Sequence, residues 1–463
     1  MRNNVSCAAR AAPHLASLAL AAFTSGLAFA QPSFSIDWQS PPCGAPDSMF
    51  GFPITEGDIL APAFYGPPLP GPMPLPCIQI SAGFGPPIPG LALPTHGPGA
   101  GHPPGIPMRI EVDAFSFGRD QVPTTPQQHP YTEWYFSVDE FATGVPGTAM
   151  PPAVWTEGLI GAAEASADIF IDVGVPGFIP CGILIPMGNT DRIDGNGFPP
   201  FGGAGVGLIE PNPPTPQIPA DPGTNIDAID VDSPTGPGIP MPVFFSLDTG
   251  FPDPMEGFPN SGTAAALGFV GGDILLCPGP GAPPVMWIPA PMLGLDLFGP
   301  DSDDLDALAL WENGTFVYEP VLGPFSWVGG GTDAVFFSLR RGSALIRNRI
   351  PDSRCGMPIE EGDILIPPPQ PGMPPMIWIP AEVLGLATIR SGTATMPFGD
   401  DLDALDVNCK IPSDLDRDGD VDLSDLTILL SAFGVSTGGD INGDGLTDLL
   451  DLALLLSQFG LAC

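Results

Sequence analysis

The sequence predicts a mainly β protein, with a four-fold repeated body at residues 31–407 and a small all-α unit at residues 408–463. Three observations predict this division. Short strand-like signatures recur four times between residues 33 and 406. Glycine (60) and proline (65) are abundant, yet 43% of the chain is hydrophobic and only 14% is charged, which is not typical of disorder. The C-terminal end carries two acid-rich segments, each followed by leucines at helical spacing.

Each copy of the repeat contains three signatures. The first is Phe-Ser before an apolar residue, with serines Ser35, Ser137, Ser246 and Ser338. The second is an Asp-Ile pair, with Asp58, Asp168, Asp273 and Asp363. An Asp-Ala pair then ends the copy, with Asp113, Asp227, Asp306 and Asp403, and copies three and four also share Trp-Ile-Pro-Ala at Trp287 and Trp378, read as core residues. About four short strands per copy, separated by Pro/Gly loops, predict an all-β body.

Two closures of this body fit the repeat. A four-bladed propeller is favoured because it leaves few open sheet edges, and a row of four small sandwiches is the alternative. The repeat does not show which strand would close a propeller ring.

The acids of the body have two interpretations. The repeated Asp58, Asp168, Asp273 and Asp363 resemble four ligand sites, but an acid that recurs in every copy more often satisfies backbone groups at a turn. Two denser acidic runs could hold additional Ca²⁺, although solvated acidic turns are favoured because no six-oxygen set is fixed by their spacing. These runs are Asp301-Ser302-Asp303-Asp304 and Asp400-Asp401.

The N-terminal residues 1–30 have the pattern of a secretory signal peptide. A basic start is followed by an apolar stretch and by an A-x-A site at Ala28-Phe29-Ala30. No later stretch reaches the roughly 18 apolar residues of a spanning helix. The formal net charge of −39, with Lys410 as the only lysine, excludes nucleic acid and anionic membranes as partners. We therefore expect a secreted, extracellular or cell-surface protein without a transmembrane segment.

The two acid-rich C-terminal segments have the spacing of 12-residue calcium loops. Oxygen ligands fall at positions 1, 3, 5, 7, 9 and 12, where position 7 supplies its backbone carbonyl and a glycine occupies position 6. The predicted ligands are Asp414, Asp416, Asp418, Asp420, Asp422 and Asp425 in the first loop, and Asp440, Asn442, Asp444, Leu446, Asp448 and Asp451 in the second. Because Ca²⁺ takes six to eight oxygens, the sequence predicts two bound ions.

An amphipathic helix is predicted after each loop. Its apolar residues are Leu426, Leu429, Leu430 and Phe433 in the first copy, and Leu452, Leu455, Leu456 and Phe459 in the second. No helical pattern precedes either loop, so the pair is not a full EF-hand. This duplicated loop–helix resembles a dockerin, and the ending F-G-L-A-C, with Cys409 before the first loop, is similar to the variant called the GC-type dockerin domain.

The dockerin resemblance implies an anchoring role. Dockerins bind cohesin modules, often on scaffolds that collect polysaccharide-degrading enzymes, and the family reads its partner with loop positions 10 and 11. These positions are Leu423-Ser424 and Leu449-Leu450 here, which departs from the hydroxyl pair of many members and leaves the partner open. A cohesin-like or cell-surface anchoring protein is expected. The resemblance also suggests that Cys409 and Cys463, which bracket the unit, clip its ends together. Of Cys43, Cys77, Cys181, Cys277 and Cys355, at least one should remain outside an intrachain disulfide.

The function of the body has two competing hypotheses. No H-E-x-x-H, G-x-S-x-G or phosphate-loop motif is present, which favours a non-catalytic binding or structural module. The alternative is a glycoside hydrolase of polysaccharide catabolism, delivered by its dockerin. Its candidate region is the least repeat-like stretch, 96–157, because two carboxylates flanking a sugar are the hydrolase arrangement. This stretch holds His96, His102, His129, Glu133, Trp134, Trp155 and Glu157.

Overall fold

The computed structural model of the chain describes residues 30–40, 42–63, 73–83, 90–93, 110–117, 132–139, 142, 151–157, 165–176, 184–186, 189–197, 205–208, 224–231, 242–248, 262–312, 315–320, 333–394, 396–409, 413, 415, 421–436, 438–441 and 446–459. This part of the chain is mainly β. Its strands are β1 (Ala30–Phe34), β2 (Ile59–Ala61), β3 (Cys77–Ile80), β4 (Ala114–Ser116), β5 (Thr132–Ser137), β6 (Ile169–Pro176), β7 (Leu184–Pro186), β8 (Thr190–Ile193), β9 (Ile226–Val231), β10 (Val243–Leu247), β11 (Ile274–Cys277), β12 (Val285–Ile288), β13 (Leu305–Trp311), β14 (Ala334–Leu339), β15 (Ile364–Ile366), β16 (Met376–Ile379) and β17 (Leu405–Cys409).

The strands form four small antiparallel sheets, one for each repeat. Their orders are β17-β1-β2-β3, β4-β5-β6-β7 with β8 also on β6, β9-β10-β11-β12, and β13-β14-β15-β16. We number these sheets one to four. The first strand in each order, β17, β4, β9 or β13, packs against its counterparts in other sheets and is therefore the inner strand. The arrangement is a four-bladed propeller.

Strand β17 closes the ring. It pairs with β1 over five residues, from Ala30 opposite Cys409 to Phe34 opposite Leu405. The Asp-Ala pairs, which end each repeat in the sequence, thus lie in space on the inner strand of the following sheet, and the last pair returns to sheet one. β17 continues to Cys409, two residues past the boundary predicted for the body.

The apolar core lies between the sheets and excludes the row of separate sandwiches. Each main cluster takes side chains from two neighbouring sheets, including the pair formed by the last and the first. Representative pairs are Ile59 with Phe136, Tyr135 with Phe245, Phe244 with Phe337, and Phe336 with Phe34. Successive side chains of a strand point to opposite faces, so Phe244 and Phe245 fill different clusters. Both faces of β10 and β14 are buried, which explains the consecutive hydrophobic residues 243–245 and 334–337.

Three of the four Phe-Ser serines connect neighbouring sheets, whereas Ser137 donates to the carbonyls of Ser166 and Asp168 beside its own sheet. Ser338 donates from its hydroxyl to the carbonyl of Leu402 at 2.7 Å, and Ser246 donates to that of Leu305 at 3.3 Å. Both carbonyls lie at or near the start of the next inner strand. A buried hydroxyl and a buried carbonyl satisfy each other in this way, so the recurrence of serine has a structural cause.

In the described part of the chain, five short α-helices accompany the sheets. They are α1 (Val154–Glu157), α2 (Gly262–Leu267), α3 (Ala290–Leu293), α4 (Ala344–Arg347) and α5 (Ala381–Leu384). Two of them follow the fourth strand of their sheet and have the same C-terminal cap. α3 and α5 follow the Trp-Ile-Pro-Ala signature and end at Gly294 and Gly385, whose φ values of 84° and 87° favour glycine. The predicted core position is confirmed for Trp287, which is buried with its ring centroid 4.6 Å from that of Phe244, whereas Trp378 is partly buried and packs against the core at 4.2 Å from Phe336.

Candidate functional site

The four repeated aspartates of the Asp-Ile signature satisfy backbone groups, as predicted. One carboxylate oxygen of Asp58 accepts from the backbone N–H of Thr55 and the other from that of Ala82, both at 2.7 Å. Asp273 and Asp363 receive the equivalent two bonds, and Asp168 accepts from Gly195 at 2.9 Å. The carboxylate ties the turn before the third strand to the chain that follows the outer strand. These positions hold the blade together and are not four ligand sites.

Burial raises the pKa of three of these carboxylates, Asp58, Asp273 and Asp363. It raises the pKa of Asp58 to about 6, although the backbone donors act in the opposite direction. Burial also raises the pKa of Asp363. The ion pair with Arg390, at 2.5 Å, acts in the opposite direction. Arg390 also reaches Glu382 at 2.7 Å, and its hydrogen bonds lower the pKa of Glu382 against the effect of burial. Sheet four therefore neutralises its repeated acid with a cation.

The two acidic runs are not the solvated turns that we expected. Asp303 and Asp400 are fully buried, and each accepts a backbone N–H, from Leu345 at 2.8 Å and from Ala387 at 2.5 Å. They precede the inner strands β13 and β17, where loops from neighbouring segments converge and need acceptors. The sequence pattern of consecutive acids suggested solvent, but tertiary packing covers them.

The hydrolase candidates of the stretch 96–157 lie partly outside the described residues. This applies to His96, His102 and His129, and to the side chain of Glu133, whose backbone pairs with Val173 in the sheet. Trp134 is fully buried in the core between sheets one and two, and Trp155 is half-buried.

Glu157 lies at the end of α1 and is only 2% exposed. Burial raises its pKa to about 7, despite a hydrogen bond from the Thr156 hydroxyl, and the charge of Asp194 raises it further. A carboxyl with this pKa could act as a general acid, but its burial leaves a sugar little access.

The C-terminal unit contains two equivalent helices, α6 (Leu423–Ala432) and α7 (Leu449–Gln458). Each begins with a capping box. Asp422 accepts from the N–H of Ser424 at 2.5 Å, and Asp425 accepts from the N–H of Asp422 at 2.8 Å. Asp448 and Asp451 repeat this arrangement in α7. Loop positions 9 and 12 thus also start the helix, which explains why the acids recur with helical spacing.

The last acid of each loop reaches back to its beginning. Asp425 accepts from the N–H of Leu415 at 2.5 Å, and Asp451 accepts from that of Ile441 at 2.8 Å. Loop position 12 is thereby joined to position 2, as a calcium loop requires. Each carboxylate oxygen has a second lone pair, so these bonds leave room for an ion, and the all-oxygen donor set fits Ca²⁺. Asp422, Asp425, Asp440, Leu446, Asp448 and Asp451 are described, whereas Asp414, Asp416, Asp418, Asp420, Asn442 and Asp444 lie outside the described residues.

The buried stripe of the two helices is narrower than predicted. Leu429 and Leu455 are fully buried and pack with Val421, while Leu426, Phe433 and Leu452 are partly buried around them. Leu430 and Leu456 were expected in the core but are 55% and 56% exposed, and Phe459 is 43% exposed. Within the described residues, the two helices pack on each other and on loop residues such as Val421, and each buries one narrow face.

Apolar side chains consequently dominate part of the surface of this unit. At loop positions 10 and 11, Leu423 is 68%, Leu449 72% and Leu450 60% exposed. Leu430 follows Leu423 by seven residues, and Leu456 follows Leu449 by the same interval, so each pair lies on one side of its helix. We call these five residues the leucine face.

The cysteines are only partly described. Cys77 is disulfide-bonded, whereas Cys43, Cys277 and Cys355 are not, in agreement with the expectation that at least one cysteine stays outside a disulfide. Cys463 lies outside the described residues, so its predicted link to Cys409 stays a prediction.

The comparisons with known proteins give no relative. No protein-family model, no curated protein and no solved structure matches the chain. Within the described ranges, none of the helices has the length and hydrophobicity to cross a bilayer.

Proposed function

We propose that this chain is an exported calcium-binding protein that is attached through residues 408–463 to a cohesin-like or cell-surface partner. In this proposal the C-terminal unit is a dockerin-like module with one Ca²⁺ in each loop. The propeller is the domain that this module attaches to the partner. It binds or displays a ligand and does not cleave one, and extracellular polysaccharide is the candidate ligand.

Two features support the calcium sites. The ligand spacing is complete in both loops, and the acid at position 12 folds each loop back onto position 2. When bound, Ca²⁺ would neutralise the mutual repulsion of these acids and fix the loops on which the helices begin. The capping boxes of Asp422 and Asp448 connect each loop directly to its helix.

The leucine face is the observation that carries the docking role. Large apolar side chains exposed by more than half are costly unless a partner covers them. They recur on both helices and include the loop positions 10 and 11 with which dockerins read their partner. Since Leu423 and Leu449 replace the hydroxyl residues of many dockerins, we expect a partner with an apolar groove.

A binding assay tests the docking role. The full chain would be passed over immobilised cohesin modules of several types in Ca²⁺ and in EGTA. We expect capture in Ca²⁺ by at least one cohesin, loss of capture in EGTA, and at least a tenfold weaker affinity for Leu449→Asp. The control is Leu267→Asp, the same change at a 48% exposed leucine of the propeller, which should bind like the parent. If no cohesin captures the chain while α6 and α7 are folded, the proposed partner class is wrong.

A binding rather than catalytic propeller is supported by the use of its repeated acids. The Asp-Ile carboxylates are occupied by backbone donors and by Arg390, whereas hydrolysis needs an acid and a base or nucleophile in different environments. Glu157 is the specific observation that favours the alternative hydrolase, because its raised pKa suits a general acid.

Plant and algal polysaccharides would distinguish the two roles of the propeller. The full chain would be incubated with a panel of them, and both retention and newly formed reducing ends would be measured. Retention without new reducing ends supports the binding role. Reducing ends that disappear in Glu157→Gln or Glu133→Gln would establish the hydrolase instead.

A further inference from the structure

The four inner strands share a second polar position that the repeat signatures did not include. Two residues before each Asp-Ala aspartate the chain has another polar residue, which is acidic in three copies. The two positions together are Glu111 and Asp113, Asn225 and Asp227, Asp304 and Asp306, and Asp401 and Asp403. All eight side chains are less than a tenth exposed. Seven carboxylic acids therefore lie buried in, or within four residues before, the strands that pack together around the propeller axis.

β-Bulges direct two of these acids. In β13, Leu305 pairs with Leu339 and Ala307 with Ser338, so that Asp306 is the additional residue. Asp227 holds the same place in β9. A bulge changes the direction of the side chain of its additional residue. The two aspartates therefore do not follow the strand's alternation of faces, which would otherwise place them between the sheets.

Three of the acids converge on one point. One carboxylate oxygen each from Asp306, Asp401 and Asp403 lies within 4.8 Å of the other two. Asp306 comes from sheet four, whereas Asp401 and Asp403 lead into β17, which closes sheet one. The cluster therefore spans the seam of the ring.

Asp306 also has a buried carboxylate oxygen without a hydrogen-bond partner among the described residues. Its Oδ2 atom is buried and has no hydrogen-bond partner, and the residue is only 5% exposed. Asp303, by contrast, accepts a backbone N–H with each of its two carboxylate oxygens. An unsatisfied carboxylate oxygen in such a place indicates that something outside the chain satisfies it.

Among the described residues, no arginine donates a hydrogen bond to Oδ2 of Asp306. Arg340 pairs with Asp248 at 2.9 Å and lies 3.6 Å from Asp304, and Arg341 pairs with Asp37 at 2.5 Å and lies 3.6 Å from Asp401. Against the effect of burial, the charge of Arg340 also lowers the pKa of Asp113 and Asp306, but two arginines face seven inner acids. Burying ionised carboxylates in this excess is costly without another cation.

We propose that Asp306, Asp401 and Asp403 bind a Ca²⁺ ion at the seam of the propeller. Their oxygens lie within 4.8 Å of one another, a spacing close to that of three ligands held 2.3–2.6 Å from one Ca²⁺ ion. The donor set contains no nitrogen or sulfur, which disfavours zinc and copper, and Mg²⁺ with ligands at 2.0–2.1 Å would need the oxygens closer together than Ca²⁺ does. The ion would join sheet four to the closing strand, so its role is to lock the ring. It is independent of the two ions of the C-terminal loops.

Protonation is the competing explanation. Burial, and after it the charges of Asp401 and Asp403, raise the pKa of Asp306, so a proton could replace the ion. The two explanations differ in metal content and in the response of the propeller to a chelator.

The test uses the full chain with Asp425→Asn and Asp451→Asn, which remove a ligand from each C-terminal loop. All seven tryptophans precede residue 408, so intrinsic tryptophan fluorescence reports the propeller alone. Calcium content would be measured by mass spectrometry after gel filtration in micromolar Ca²⁺, and thermal unfolding would be followed in Ca²⁺ and in EGTA. We expect one retained ion per chain and a tryptophan transition that Ca²⁺ raises by several degrees.

Asp306→Asn in that background should lose the ion and the response to EGTA. The matched control is Asp273→Asn, because Asp273 is equally buried but accepts from Val270 and Ala290; it should lower the transition and keep the ion. The proposal is overturned if the loop-disabled chain holds no calcium and unfolds identically in Ca²⁺ and EGTA, a result that needs no change in the propeller. Retention of the ion by Asp306→Asn would also overturn it. Either result leaves the docking proposal untouched, since that depends on α6 and α7.

Discussion

The two acid-rich regions of this protein use the same side chain in opposite ways. In the C-terminal unit, each set of acids lies within 12 consecutive residues, and members such as Asp422 and Asp448 remain partly exposed. At the propeller axis, the acids come from positions as distant as Glu111 and Asp403 and are all buried. The first set is gathered by local turns, whereas the second is gathered only when four sheets close into a ring.

This difference separates two sources of stability. The C-terminal unit has a small core around Val421, Leu429 and Leu455, and in our proposal its fold therefore depends on the neutralisation of its loops. The propeller has four apolar clusters between its sheets and tolerates many buried acids, because backbone donors and arginines satisfy most of them. Metal removal should therefore unfold the C-terminal unit but only destabilise the propeller.

Chelation is the strongest test of this contrast. In EGTA we expect α6 and α7 to unfold, because repulsion among the loop acids is no longer compensated. Hydrogen exchange of the full chain would show loss of protection at 423–432 and 449–458, while β10 and β14 stay protected. The strands are the internal control. Helices that remain protected in EGTA would contradict the calcium dependence of the unit.

A matched pair of leucines measures how small the C-terminal core is. Leu455→Ala should destabilise the unit by about 2–5 kcal/mol, since Leu455 is fully buried. Leu456→Ala, one residue further and 56% exposed, should change the stability by less than about 0.5 kcal/mol. Urea unfolding followed by helical circular dichroism in Ca²⁺ compares them. Equal effects of the two changes would mean that the described helix packing is wrong.

The pH dependence of the propeller tests the cost of its buried acids. The folded pKa of Asp58 is about 6, above its ordinary value of 3.8, so the folded state binds the proton more tightly than the unfolded state. The resulting stability is fully present below pH 4 and is lost as the pH rises through 6, an effect of about 3 kcal/mol for this group. Asp58→Asn cannot titrate, so its urea midpoint, read by tryptophan fluorescence, should fall less between pH 4 and 7 than that of the parent. Parallel profiles for the two proteins would refute the raised pKa.

The smallest expected effect concerns the serines that join the sheets. Ser338→Ala removes the 2.7 Å hydrogen bond to Leu402 and leaves a buried carbonyl without this donor, which should cost about 1–2 kcal/mol. Ser48→Ala, at an exposed serine in the connection between β1 and β2, is the control and should be neutral. Thermal unfolding monitored by tryptophan fluorescence compares them. A neutral Ser338→Ala would show that the serine signature does not stabilise the ring.

Much of this architecture could be predicted from the sequence because its signals are local or repeated. The Phe-Ser and Asp-Ile signatures predicted four equivalent sheets, since the same residues recur where each copy makes the same contacts. The backbone role of Asp58 and its equivalents followed from the same recurrence. The loop spacing and the leucine period predicted the two C-terminal helices, as all the residues involved lie within two turns of one another.

Tertiary structure alone decided the features that depend on ring closure and on what covers a residue. Consecutive acids at Asp303 and Asp400 look solvated in sequence, but neighbouring loops bury them. Helical spacing cannot tell Leu455 from Leu456, because the width of the buried stripe is set by the partner helix. The convergence of Asp306 with Asp401 and Asp403 has no sequence signal of its own. It arises because β17 returns to β1, which brings together residues that are almost a hundred positions apart.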